Sequence, residues 1–503
     1  MSIASEISRL QTAKTDIKGA IEAKGVTVPS SAKLDTYDDY VAQIPSPPLA
    51  ESDVNFYDYD GTLLRSYSAQ SFANLEALPS NPSHDGLTAQ GWNWTLSAAK
   101  TYVAAHGKLD IGQMYTTSNG ETRLYLHIIA TDGQKTGLYW NQTDSNGVEI
   151  YWGDGGGPTT NSGTGEVSAY HVYSSGGDYT IRVKPISGTF SFGWSSQTRT
   201  IFGATSNSQD QAASPALVKM ELGASITGMV RYALQDCANL KYISIPNTFV
   251  SFGDNVFYRC HSLCSVVIPT SIDTIPSSTF YQCYSLESAS LPEGLLQVKG
   301  SAFSNCSELR HVTIPDSVTE IGSNAFNKCS VLSYVSMPST ITTLGYNTFS
   351  YCYKIESISI PSGATTIPSA YFSSCYKLET VSIPSSVDTI EMSAFDNCRN
   401  LSSITIPDIT TLPGSVFYNC YGLSELVLPA TLTEISNYSA FYGLYNVKRF
   451  IFLATTPPSI PVYMFMYTDQ NSQILVPASA VSTYKAATNW SSYASRISAI
   501  PTT

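Results

Sequence analysis

The chain has 503 residues, too many for one compact core, so several domains are expected. Only 13% of residues are charged against 43% hydrophobic, so Ser, Thr, Asn and 33 tyrosines must carry much of the solubility. The formal charge of −12 argues against nucleic acid as a partner, and no apolar run nears the ~20 residues that span a bilayer, so no membrane insertion is expected.

The opening Met1-Ser-Ile-Ala-Ser-Glu lacks the apolar core of a signal peptide, which predicts synthesis in the cytoplasm without export by the usual secretory route. Ile3, Ile7, Leu10, Ile17 and Ile21 follow steps of three and four, with Lys14 in the missing slot and Gly25 as the stop. So short a seam is marginal alone, so it predicts a homo-oligomer, a trimer being favoured, or docking on a partner. Leu34–Val41 is a second helical patch, and Pro45-Ser-Pro-Pro48 is a linker. Asp58-Tyr-Asp60-Gly61-Thr62 matches the D-x-D-G-T opening of haloacid-dehalogenase-like phosphatases. The Pro-rich lead-in instead predicts a β-hairpin turning at Asp60-Gly61. Strand-like alternation follows in Leu124–Ile129, Val148–Trp152 and Tyr179–Val183.

From residue 237 the chain repeats. Cys237, Cys260, Cys283, Cys306, Cys329, Cys352, Cys375 and Cys398 are each 23 residues apart, and Cys420 follows at 22. Pro246 to Pro407 and Phe257 to Phe395 keep the same step, defining F-x-x-C-x-x-L-x-x-V-x-I-P-x-x-V-x-x-I. The one deletion falls between Pro407 and Phe417. In Leu309–Ile314, Val312 and Ile314 point inward and Thr313 outward; proline then stops the strand. No coil can bury its apolar face alone, so the coils must stack. Stacking aligns the cysteine Cβ vectors in parallel, which disfavours disulfides and predicts a column of small buried thiols.

Three resemblances follow. The repeat resembles BspA-like (Treponema-type) leucine-rich repeats over about residues 237–450. Thr456-Pro-Pro458, Ile474–Pro477, Tyr484 and Trp490 look like that family's C-terminal cap. Trp152-Gly-Asp154-Gly155, His171-Val-Tyr173 and Gly177-Asp-Tyr179 resemble the signature of PKD-like domains, with His171 expected to be structural. Residues 13–29, and the stretch from Val54 to Trp94, resemble the openings and connectors of phage tail-fibre proteins.

The fold class expected is thus multidomain and mainly β. The boundaries are 1–45 for a helical oligomerisation or virion-attachment stalk, 46–122 for a connector with a hairpin and helix, and 123–200 for a PKD-like sandwich. An N-terminal cap at 201–236, solenoid coils at 237–450 and a C-terminal cap at 451–503 complete the scheme. The resemblances imply a non-enzymatic virion protein, a tail fibre or tail tip, that attaches to other virion tail proteins through its N-terminus. It would bind a bacterial surface glycan or protein. The alternative is a BspA-like adhesin on the bacterial cell surface. No catalytic, metal or cofactor residues are expected, since six scattered histidines form no triad. The binding residues are sought on one ridge, where the period aligns Tyr284, Tyr353, Tyr376, Arg399 and Tyr421, with Tyr281, Tyr351, Tyr371 and Tyr418 beside them. The outward strand positions Ser336, Ser359, Ser382 and Thr405 predict a flat, polar strand face.

Overall fold

The computed structural model describes residues 53–128, 134–194, 200–202 and 216–501. The expected helical stalk, its oligomerisation and the virion attachment at residues 1–45 lie outside them.

The first unit is a four-stranded sheet in the order β2-β1-β4-β3, where β1 is Val54–Tyr57, β2 Leu63–Tyr67, β3 Leu87–Trp92 and β4 Leu109–Thr117. Helices α1 (Ala69–Ala73) and α2 (Leu96–His106) start at Ser68 and Thr95, whose hydroxyls accept from Ser71 N and Ala98 N. α2 stops at Gly107, whose φ of 79° only glycine adopts freely. Phe56, Phe72, Trp92, Trp94, Val103 and Ile111 make a small core of their own. Asp58-Tyr-Asp60-Gly61-Thr62 is the expected hairpin turn. Asp58 is buried and its Oδ2 lies 2.7 Å from His84 Nε2, so it is no exposed nucleophile.

Residues 122–192 form two sheets that run directly into the repeat. β5 (Thr122–Ile128) pairs antiparallel with β7 (Leu217–Glu221), which pairs in parallel with β9 (Tyr242–Ser244). On the other face β6 (Phe190–Phe192) pairs with β8 (Ile226–Met229), and β8 with β10 (Ser251–Phe252). One hydrophobic core therefore extends unbroken from Leu124 to Ile497.

Each coil of the solenoid contributes a short strand at its proline, in most coils of three residues, as in His311–Thr313 against Tyr334–Ser336. A second, two-residue strand follows, as in Glu320–Ile321 against Thr343–Leu344. The phenylalanines stack 5.2–6.0 Å apart from Phe257 to Phe417. Each coil turns through two left-handed residues flanking its phenylalanine, such as Asn324 (φ 59°) and Lys328 (φ 60°) around Phe326. The deletion is visible as a tightened turn. Val387 N donates to Pro384 O three residues back, whereas Ile409 N donates to Pro407 O only two back.

All ten cysteines are free thiols, and nine are buried. The column is more than filler: Cys283 Sγ donates to Phe257 O and Cys306 Sγ to Phe280 O, each at 3.2 Å. Burial drives these thiols up, Cys375 to about 12, so they stay protonated donors.

The N-terminal unit does not stand apart from the solenoid. β4 lies across the strand face of the first coils, with one side on its own core and the other on the repeat. A Cβ on Gly112 would lie 2.6 Å from the Val267 methyls, so this close approach requires glycine. Asn93 Nδ2 donates to Ile268 O (3.3 Å), Trp94 Nε1 to Leu291 O (2.8 Å) and Tyr102 Oη to Ile314 O (2.8 Å). Thr95 N and Oγ1 both donate to Glu293 Oε2 at 3.0 Å. His106 meets Asp316 at 2.7 Å, and the buried His311 ion-pairs with Asp110. The expected flat, polar strand face is exposed only in part: Ser359, Ser382 and Thr405 meet solvent, but Thr313 and Ser336 are covered by this unit.

Candidate functional site

A stacked column inherits its neighbours' spacing, so side chains one period apart meet face to face. Tyr353 and Tyr376 stack at 4.9 Å and 18°, and the Arg399 guanidinium caps the next face 4.6 Å from the Tyr376 centroid. Tyr351 closes on Tyr353 edge-to-face at 6.3 Å. It occupies a left-handed position (φ 64°), where Asn or Gly is easier, and is 38% exposed. Tyr284 stacks on His261 at 5.0 Å, but Ser307 and Ser330 fill the two coils between it and Tyr353. The aligned residues thus form separate clusters rather than one file. Tyr281 stacks on Tyr258 at 4.9 Å in a parallel row. Tyr371 is fully buried against Phe349 and Phe372, which removes it from the ridge.

Beyond Cys420 the ridge continues through residues that a fixed period hides. Tyr418 stacks on Tyr442 at 4.5 Å, Tyr442 meets Tyr467 at 4.4 Å, and Tyr421 lies 6.5 Å from Tyr445. The steps here are 24 and 25 residues, so only a search allowing the period to lengthen would have found Tyr442, Tyr445 and Tyr467.

The stacking decides what these rings can do. A face already covered at ~5 Å is closed to a ligand, which leaves ring edges, hydroxyls and the end faces of each stack. Burial, and then the neighbouring phenols, raise the pKa of Tyr353, while burial, and then Tyr442, raise that of Tyr418. Their hydroxyls therefore remain hydrogen-bond donors.

Another polar cluster lies away from the ridge. His171 stacks on Trp152 at 5.0 Å and meets Asp154 at 2.8 Å, while Tyr173 Oη donates to Trp152 O. The Gly156 N–H, more than His171, holds Asp154 below the usual carboxylate range. Among the described residues no group of three His, Cys, Asp or Glu side chains is placed to hold a metal ion, and no helix is long and apolar enough to cross a membrane.

Comparison with known proteins agrees with this architecture. The family model for the BspA type leucine rich repeat region matches in six copies, over residues 212–333, 298–424 and 365–495. A leucine-rich repeat protein from Bacteroides ovatus is 20% identical, covering 58% of this chain and 88% of that one, with a TM-score of 0.37. A leucine rich cell surface protein from Faecalibacterium prausnitzii is 22% identical over 57% and 90%, with a TM-score of 0.34. The T. pallidum leucine-rich-repeat protein is 24% identical over 37% and 83%, with a TM-score of 0.30. Curated proteins give no match.

These findings correct the virion reading. The matched family and the proteins just named are bacterial repeat proteins, one of them a cell-surface protein, and none is a tail component. The expected virion location and tail partners go with it. Nor do the comparisons bring out the phage-like N-terminus or the PKD-like resemblance. The family model spans residues 212–495, more than half of the residues: the chain belongs to the BspA-type leucine-rich-repeat family.

Proposed function

We propose that this chain is a non-enzymatic adhesin of the bacterial cell surface that holds an extracellular glycan or protein on its aromatic ridge. The observation that carries this reading is the cluster of Tyr351, Tyr353, Tyr376 and Arg399. Its edges and hydroxyls face outward on coils whose turns are not covered by the N-terminal unit. Aromatic and arginine side chains held rigid by stacking lose little entropy on binding, which suits an anchor. Tyr284 with Tyr281, and Tyr418 with Tyr421, serve as flanking contacts. In the same reading the six segments set out above are successive parts of the chain, the last four sharing one core. The Trp152–His171–Asp154 cluster supports a PKD-like sandwich, and residues 1–45 would self-associate, a trimer being favoured.

The test is adhesion. Cells displaying the full chain are compared with cells displaying Tyr353→Ala with Tyr376→Ala, over a panel of target cells and immobilised glycans. Binding is expected to fall at least about tenfold, while the melting temperature drops only slightly, since half-exposed rings contribute ~1 kcal/mol each. Unchanged adhesion would remove the ridge from the function.

A further inference from the structure

The strand face carries a row of carbonyl groups that the repeat itself cannot satisfy. In this register an N–H of one coil donates to the carbonyl 22 residues on: Ile268 N to Ser290 O and Ile360 N to Ser382 O. The next donors in line would be Pro269, for Leu291 O, and Pro361, for Ile383 O. Proline has no N–H. The repeat therefore leaves one orphan carbonyl per coil, at Ile268, Leu291, Ile314, Met337, Ile360, Ile383 and Ile406. The first three are the ones that accept from Asn93, Trp94 and Tyr102. Among the described residues nothing donates to the last four.

Where the N-terminal unit ends, a groove of about 480 Å³ opens on this face, with Ala105 and His106 of α2 as its wall. Its floor presents the hydroxyls of Ser357, Ser359, Thr380 and Ser382, and its only ionisable lining groups are Tyr334 and His106. His106 is already paired with Asp316. The apolar side chains beneath, Val335, Ile358 and Val381, are buried and give a protein partner no anchor. The size suits a small ligand.

We propose that this groove is a second binding site, distinct from the aromatic ridge, for an uncharged oligosaccharide whose hydroxyls donate to the Met337 carbonyl, the one orphaned acceptor among its lining residues. The same hydroxyls accept from the serine and threonine row. Such a ligand extends the pattern by which Asn93, Trp94 and Tyr102 occupy the preceding three coils, and neutrality matches a floor without charge.

The test uses the full chain with two neutral hexasaccharides, maltohexaose and cellohexaose, in calorimetric titrations, with hydrogen exchange read over residues 334–383. At least one sugar is expected to bind and to slow exchange in that segment. Ser382→Arg, which fills the groove, should weaken binding about tenfold or more, while Tyr353→Ala with Tyr376→Ala leaves it within about twofold. Binding by neither sugar, or binding that Ser382→Arg leaves intact, would overturn the assignment. Loss of adhesion in Ser382→Arg without any sugar binding would also overturn it, in favour of a protein partner. If the ridge variant loses adhesion and neither sugar binds, the proposed ridge stands and this site falls.

Discussion

The strand face of the solenoid is built twice from one repeat and treated in two ways. Over the coils that carry Ser290, Thr313 and Ser336, the outward residues are buried beneath β4 and α2. Over the coils that carry Ser359, Ser382 and Thr405, the same kind of residue meets solvent. The repeat unit does not distinguish the two stretches, because both have small hydroxyl residues and the same proline-orphaned carbonyls. What distinguishes them is the reach of the docked unit, which brings three side-chain donors to three consecutive coils. A covered hydroxyl and an exposed one of identical type should therefore respond very differently to change.

The largest effect is expected at the buried ion pair beneath that unit. Burial alone would lower the pKa of His311, but the Asp110 carboxylate overrides it and raises the value above the ordinary histidine range. A raised folded value means that the pair's contribution is complete below the unfolded pKa of about 6.5 and is lost as pH rises through the folded value. Asp110→Asn should cost on the order of 3 kcal/mol at low pH and invert the dependence, since a buried His311 without its partner resists protonation. Denaturant titrations of both proteins across pH 5–9 check this, a range set by the histidine reference value. Parallel profiles would mean that the pair does not control docking.

A smaller effect separates the two stretches directly. Tyr102→Phe removes the hydroxyl that donates to Ile314 O and pairs with Ser336 Oγ, and should cost ~1–2 kcal/mol. Ser336→Ala should cost ~1 kcal/mol, whereas Ser359→Ala should stay within ~0.5 kcal/mol. Equal costs for the two serines would show that the docked unit adds nothing to Ser336. The smallest effect is at the thiols. Native protein should label with iodoacetamide at Cys264, the half-buried one, and resist at the nine column cysteines. Cys306→Ala, which removes a sulfur and its bond to Phe280 O, should cost only ~1 kcal/mol.

Much of the solenoid was legible in the chain because a fixed period leaves stacking few alternatives. The columns of Cys, Phe and Pro are periodic in sequence and therefore adjacent in space, and even the deletion could be placed to within one turn. The Tyr353–Tyr376 contact was legible for the same reason. The ring contacts of Tyr442, Tyr445 and Tyr467 were not, because their coils lengthen and the period fails as a guide. Tyr371 was misplaced because it stands where other coils hold small or β-branched residues such as Ala325 and Thr348. The fold turned its ring inward.

By itself the sequence determined the coil, its inward columns and the stop that proline imposes at each strand end. All of these follow from local geometry repeated at one interval. Only the tertiary structure decided which part of the strand face is open. Docking joins Asn93, Trp94, Tyr102 and Asp110 to partners roughly 170–230 residues away, and Gly112 admits them by what it lacks. No period links those positions. Their meeting depends on the shape and donor pattern of two folded surfaces, which exist only after each has formed.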